Sequence, residues 1–396
     1  MREKLHRNPP FRAEHMGSLL RPESLHPENK NKLDQEQLTA VEDQAISDIV
    51  GVQLDCGLRG IGDGEFRRNV FWGTLFQNFQ GMQEIADPDP SIFRSFVAGF
   101  LKGGKLKPRT LLVCQGRLRH SGKSDYVKEL RYLQQVVPRD LWRGIKITLP
   151  SPNWYHLQFR EGHAYPRDVY HDDQEYFQDL AAAYRAELSL LYEAGLRNIQ
   201  FDDPNLTFFC AEDTLQDWAT DTANTCSPDE LFHKYINLYN DILSSRPDDL
   251  HVGIHLCTGN FRHSSRKGGY EQIAQKLFQE LDVDTYYLEY DDQARTGGFS
   301  PLKHLPPHKN VILGVVTSKY PELEDKEELK LRVHEAAETI AEGNGSSKDE
   351  SIKQIGISPQ CGFSSSVEVR HMEHEDMVRK LRLVREVADD IWPGEP

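Results

Sequence analysis

The chain is short of several features, and each shortage excludes a class of protein. No run of 18 apolar residues occurs in its 396 residues, so nothing reads as a membrane-spanning helix. The first ten residues, Met1-Arg-Glu-Lys-Leu-His-Arg-Asn-Pro-Pro10, lack the apolar stretch of a secretion signal, and a cytoplasmic location is expected. Cysteine is sparse: six residues (56, 114, 210, 226, 257 and 361) without framework spacing, so reduced thiols are expected rather than disulfides. Positive charge is in deficit. The 47 Lys and Arg face 62 Asp and Glu, a formal net charge of −15, which argues against a nucleic-acid or anionic-membrane partner. A small anionic substrate remains compatible, because a local basic pocket can hold one. No Gly-x-Gly-x-x-Gly follows a first strand, no Walker loop occurs, and no internal repeat is visible, which lowers a dinucleotide-binding reading.

What is present is an alternation. Apolar content of 38% with 10% aromatics is enough for a sizeable core. Short β-rich runs end in polar or Gly residues at Phe11–Ser18, Gly60–Glu65, Thr110–Gly116, Lys146–Pro150, Asn198–Asp203, His251–Cys257, Thr285–Glu289, Asn310–Val316 and Gln354–Ser358. Helical periodicity fills Gln37–Leu54, Gln174–Ala194, Pro228–Ser245, Tyr270–Leu281, Leu323–Ala341 and Glu375–Ile391. Strands alternating with crossover helices predict parallel pairing, hence an α/β barrel or a doubly wound sheet. Thr110–Gly116 follows the Gly/Lys-rich 102–108 and is set aside as part of an insertion, about 80–120, after the second strand. Eight strands then remain, and a single (β/α)8 TIM barrel over 1–396 is expected. Glu342–Lys353, with its Gly-Asn-Gly-Ser-Ser core, is expected to be a mobile surface loop.

In such a barrel the chemistry sits at the C-terminal strand ends. Those ends collect titratable groups: Glu14, His15 and Ser18; Asp63 and Glu65; Asp202 and Asp203; His255 and Cys257; Glu289; Lys319; Cys361. His255 and Cys257 lie two apart, so on a strand they share a face. An imidazole beside a thiol is half of a zinc site, and Glu289 or Cys361 can supply the rest. Taken singly, each has a plainer role as a packed or solvated side chain. Arg21, Arg67 and Arg68 read by default as surface salt bridges, and Asp291-Asp292 as a solvated acidic turn.

These residues resemble a known family. Phe11-Arg-Ala-Glu-His-Met-Gly-Ser-Leu-Leu-Arg21, Gly62-Asp-Gly-Glu-Phe-Arg67, Ile199-Gln-Phe-Asp-Asp-Pro204, the His255/Cys257 pair, Leu288-Glu-Tyr-Asp-Asp292 and Ser358-Pro-Gln-Cys-Gly-Phe363 are similar to the catalytic barrel of cobalamin-independent methionine synthase. The likeness is greatest to its short single-barrel relatives. It implies Zn2+ held by His255, Cys257, Glu289 and Cys361. It also implies homocysteine bound at its amino-acid end by Gly17, Ser18, Glu65 and Asp202, and methyl transfer from a methylated reduced folate near Trp154. Glu289, the hardest donor, is expected to loosen when the substrate sulfur binds. The chain departs from the pattern at Lys319, where full-length synthases carry the histidine that protonates the leaving group. Lys319 would then be a tuned acid or an anchor for an anionic donor. Two other readings stay open: alkylation of a different thiol by a non-folate donor such as an epoxide, and a non-catalytic barrel with structural zinc. An accessory protein or homo-oligomer is compatible with either.

Overall fold

The computed structural model describes residues 9–94, 110–258, 268–367 and 369–396. Two antiparallel strands, β1 (Phe79–Ala86) and β2 (Thr110–His120), form a hairpin outside the main sheet. The main sheet is six-stranded and wholly parallel: β3 (Lys146–Pro150), β4 (Asn198–Asp202), β5 (His251–Leu256), β6 (Thr285–Glu289), β7 (Asn310–Val316) and β8 (Ile355–Pro359), hydrogen-bonded in that order. Helices follow the strands: α1 (Gln35–Asp55), α2 (Asp125–Val136), α3 (Asp173–Glu193), α4 (Pro228–Leu243), α5 (Ala274–Glu280), α6 (Lys326–Asn344) and α7 (His374–Ile391). The starts are encoded locally. Asp34 with Gln37, and Ser227 with Glu230, form capping boxes that satisfy otherwise orphaned N–H groups of α1 and α4. Every residue of β3, β4, β6, β7 and β8 is buried, as expected for parallel strands covered on both faces.

The first two expected strands are reduced to single parallel bridges. Ala13 pairs with Ile357 of β8, and Ile61 pairs with Ile145 beside β3. Ladders cannot continue because the chain leaves extended geometry. Gly17 (φ 110°), Gly64 (φ 68°) and Glu65 (φ 62°) are all left-handed. The two segments still extend the sheet at both edges and meet each other. His15 Nε2 donates to Gly60 O at 2.9 Å, and Leu19 N donates to Gly64 O at 3.1 Å. Among the described residues, two bridged edge segments and six parallel strands thus alternate with helical segments in a (β/α)8 order, and one contiguous apolar core reaches from Ala13 to Trp392.

Other elements differ from expectation in detail. The strand at 110 lies in the hairpin, after the second strand, while 102–108 falls outside the described residues. Its partner β1 and the helix α2 were not expected; Ser124 caps α2 by accepting from Val127 N. The helix expected over 270–281 is a 3-10 turn followed by α5. Residues 342–353 are not a loop. α6 runs to Asn344, left-handed Gly345 caps it, and a helical turn (Lys348–Ser351) follows, N-capped by Ser347. Among the described residues no helix is long and apolar enough to cross a membrane.

Inside the sheet, Lys146 Nζ contacts Glu14 Oε2 at 2.8 Å with both side chains essentially inaccessible. Above this pair, Met16, Tyr287 and Ile312 make a small apolar layer. Gly253 leaves room for it: a Cβ there would stand 2.4 Å from the Tyr287 ring. Breaking a buried ion pair strands one charge, so Lys146→Met should lower unfolding stability by about 3–5 kcal/mol. Glu14→Gln/Lys146→Met together should recover most of that loss in urea titrations. A double variant no better than Lys146→Met would contradict this reading.

Candidate active site

The register of the parallel strands assembles one end of the sheet. Pro150, Asp202 and His255 lie abreast across β3, β4 and β5, and His255 is opposite Tyr287 of β6. His255 is buried, and its Nδ1 donates to Tyr287 O at 3.1 Å, which leaves Nε2 as the coordinating nitrogen. That Nε2 has no nitrogen or oxygen partner among the described residues and faces the Cys257 sulfur. Cys257 Sγ lies 3.4 Å from Cys361 Sγ, brought by the loop after β8. Glu289 ends β6 and is fully buried, with Oε1 also lacking a partner. One donor atom from each of His255, Cys257, Glu289 and Cys361 lies within 4.8 Å of the others.

This geometry fits a tetrahedral ion. Ligand bonds of 2.0–2.3 Å to zinc imply donor–donor edges of roughly 3.3–3.8 Å, so the four atoms need only contract slightly around a metal. Two buried donor atoms without partners are what such a site requires and a packed core does not. Protonation equilibria point the same way. Burial lowers His255, but Cys257, Asp202 and Glu289 outweigh it and raise the imidazole to about 9. Burial, reinforced by Cys257, pushes Glu289 up to about 8 against Arg295 and Lys319. The neighbouring Cys257 thiol, then burial, drive Cys361 well above the usual thiol range. A cation at the centre reverses each of these tendencies.

Several supporting residues were not expected from sequence. Arg295, on the turn Gln293–Thr296 after β6, donates from Nη1 to Glu289 Oε2 at 2.7 Å and from Nη2 to Asp291 Oδ1 at 2.5 Å. Thr258 N donates to the same Glu289 oxygen at 3.2 Å, and its hydroxyl also contacts it. Glu289 is therefore gripped by one oxygen and offers the other. Asp291 is drawn into its ion pair with a side chain 5% exposed, whereas Asp292 is an exposed turn residue, as expected, and caps the turn by accepting from Ala294 N. Their i, i+4 spacing from Asp291 to Arg295 was the available signal.

Beside the quartet lies a second group of carboxylates. Glu65 is buried; Thr148 Oγ1 donates to its Oε1 at 2.8 Å, and its Oε2 has no partner among the described residues. Burial and Asp202 raise Glu65 to about 8 although Arg68 opposes them. Asp202 accepts from Gln200 Nε2 at 2.7 Å; burial lifts it to about 6 against the nearby His255. Gly17 lies against both Thr148 and Glu65, where a Cβ would meet Glu65 Oε1 at 2.9 Å. Ser18 packs against Gly362, next to Cys361. Arg21 and Arg68 are buried, not surface residues. Arg21 donates to Ser364 O, Glu65 O and Arg68 O, and Arg68 pairs with Glu129 at 2.7 Å and reaches Thr148 Oγ1 at 2.8 Å. Arg67 alone of the three pairs nearer the surface, with Glu42 and Asp43.

Trp154 follows β3 and is half-buried in a cluster with Phe71 (5.1 Å between centroids) and Trp72 (4.9 Å, planes 31° apart). Lys319 is 4% exposed rather than a solvated rim residue. Its segment is tied to the loop of Cys361: Ser318 N donates to Gln360 Oε1 at 2.5 Å and Ser318 Oγ to Gly362 O at 3.2 Å.

Residues 163–390 match the family model described as cobalamin-independent synthase, catalytic domain. The chain is 33% identical over 397 residues to YxjH of Bacillus subtilis (strain 168), covering 98% of this chain and 96% of that one. Among solved structures, a candidate vitamin-B12-independent methionine synthase from Listeria monocytogenes is 25% identical with a TM-score of 0.70, covering 97% of this chain and 98% of its own. A B12-independent methionine synthase from Shewanella sp. W3-18-1 shares the fold at 19% identity, with a TM-score of 0.65 over 96% of this chain and 97% of that one. On that likeness the chain belongs to the family of cobalamin-independent methionine synthases and carries its methyltransferase-type catalytic barrel.

Proposed function

We propose that the protein is a zinc-dependent methyltransferase that moves a methyl group from a methylated reduced folate to the thiol of homocysteine, giving methionine. The observation that carries this reading is the side-by-side placement of two groups, buried except for the half-buried Cys257: the His255, Cys257, Glu289 and Cys361 donors, and the carboxylates of Glu65 and Asp202. The first suits a sulfur-binding metal and the second an ammonium ion, and homocysteine carries a thiol and an ammonium on one short chain. Zinc held there would supply Lewis acidity that removes the thiol proton, since a thiol of pKa about 8.5 is mostly protonated at neutral pH.

The chain's own residues do the positioning. Glu65 and Asp202 pair with the ammonium group, and Gly17 and Ser18 border the amino-acid end, so the sulfur is oriented for in-line attack on the methyl carbon. The carbon–nitrogen bond of the donor breaks as the carbon–sulfur bond forms, and the departing nitrogen takes up a proton. Trp154, Phe71 and Trp72 offer aromatic faces on which a flat pterin ring stacks. A thiol acceptor without an ammonium group would bring no partner for the buried Glu65 Oε2, which favours an amino-acid thiol as acceptor.

Metal uptake provides the first check. The metal-free protein should bind one equivalent of Zn2+ and release protons, because His255 at about 9 and Glu289 at about 8 are protonated at pH 7. Calorimetry in two buffers of different ionisation enthalpy should register that release, and affinity should weaken from pH 8 to pH 6. Cys361→Ala should lose stoichiometric zinc; full retention would make Cys361 a core filler.

Acceptor recognition provides the second. With a methylated reduced folate, the protein should convert homocysteine to methionine. Asp202→Ala should raise the KM for homocysteine at least about tenfold, the loss expected for one buried charge-assisted contact. An unchanged KM would move the acceptor away from an amino-acid thiol, and turnover only with a non-folate donor would replace the donor assignment.

A further inference from the structure

The amino-acid end of the acceptor site is bordered by a turn that no strand ladder holds. Gly17 is left-handed there (φ 110°), and a Cβ on it would stand 2.7 Å from Thr148 Cγ2 and 2.9 Å from Glu65 Oε1. The Gly17 backbone therefore lies against the Glu65 carboxylate. One residue earlier, Met16 O accepts from Gln200 Nε2 at 3.0 Å, and the same amide nitrogen donates to Asp202 Oδ1 at 2.7 Å. The turn thus meets both carboxylates assigned to the ammonium group, Glu65 directly and Asp202 through Gln200.

His15 decides where that turn sits. Its side chain is fully buried and reaches two segments. Gly60 O, which can only accept, lies 2.9 Å from Nε2, and Gly17 N, which can only donate, lies 3.1 Å from Nδ1. The two contacts fix the tautomer: Nε2 carries the proton and Nδ1 is a bare acceptor. Burial, then the charge of Lys146, hold the imidazole down to about 3, so the ring is neutral. The His15 carbonyl is fixed as well, accepting from Lys146 Nζ. With both ring nitrogens committed, His15 has none left to take a proton from a substrate.

Resting on the thiol-acceptor reading above, we propose that His15 is a positioning residue: by accepting from Gly17 N and donating to Gly60 O it sets the turn that spaces Glu65 and Asp202 for the ammonium group of the acceptor. Among the described residues its ring hydrogen bonds go to 17 and 60 and to none of the four candidate metal donors. Its loss is therefore expected at the ammonium end and not at the metal.

The test compares the parent, His15→Phe and His15→Asn, each loaded with Zn2+ and checked by thermal unfolding. Phenylalanine keeps a ring and loses both hydrogen bonds. Asparagine does not reach Gly60, but its side chain can accept from the N–H two residues on, as in an Asx-turn, which restores the bond to Gly17. Homocysteine and propanethiol affinities are measured by calorimetry, and zinc affinity by competition with a chelating dye. His15→Phe should bind homocysteine about tenfold more weakly with propanethiol and zinc unchanged, and His15→Asn should recover most of the homocysteine affinity. Unchanged homocysteine affinity in His15→Phe would overturn the proposal. So would an equal loss for propanethiol, which marks general disruption, or a His15→Asn variant as weak as His15→Phe. Should His15→Phe not fold, His15→Gln, whose amide keeps a donor for Gly60 O, carries the same comparison. A parent that binds propanethiol as well as homocysteine would overturn the acceptor reading and this role with it. Failure of the role alone leaves that preference of the parent intact, so the two failures are distinct.

Discussion

The site depends on one constraint, the register between neighbouring parallel strands. Side chains alternate faces along a strand, so slipping β5 by one residue against β4 and β6 would turn His255 and Cys257 away from the centre. That register is held where the strands begin as well as where they end. His251, at the start of β5, bridges Asn198 Oδ1 of β4 and Thr285 Oγ1 of β6, both at 2.9 Å. Arg246 clamps Asp284 at 3.0 Å just before β6, and Asp284 in turn accepts from Val252 N. Contacts distant from the chemistry thus decide whether the donor atoms converge.

The second physical theme is burial of acid. Glu14, Glu65, Glu129, Asp202, Asp203 and Glu289 are all buried along this sheet, and each is held by a named donor. Lys146 holds Glu14, Arg68 holds Glu129, Tyr239 and Asn153 hold Asp203, and Arg295 holds Glu289. Glu65 and Glu289 differ from the rest in keeping one oxygen without a partner among the described residues. Those two oxygens are the ones to which the proposed function assigns the ammonium and the metal. Glu65 sits in the left-handed region as well, a conformation that persists only where the surroundings enforce it.

Much of this was legible from the sequence, and the losses have physical reasons. Parallel strands buried on both faces read as continuous apolar runs, so β3 to β8 stood out. The candidate metal donors stood out because each lies at or just after the end of such a run. The edge segments near Ala13 and Ile61 kept their place but not their strand geometry, because Gly17, Gly64 and Glu65 break the extended backbone. The hairpin β1–β2 was half seen: Phe79–Ala86 alternates polar and apolar residues on a half-exposed surface and offers no buried run. Thr258, Gln200 and Thr148 were invisible as site residues because they act through another side chain, a relation that only tertiary contact reveals, and for Arg295 only its spacing from Asp291 gave a signal. Glu342–Lys353 misled by composition. Its Gly and Ser residues serve as a helix C-cap and N-cap, not as a flexible linker.

The central claim is that this end of the sheet is an open metal site built to take a substrate sulfur beside two protein thiolates. X-ray absorption at the zinc edge of the zinc-loaded protein addresses it most directly, because it counts sulfur neighbours at about 2.3 Å. Two sulfurs without acceptor and three with saturating homocysteine are expected. Two sulfurs in both states would mark a closed structural centre and contradict the account.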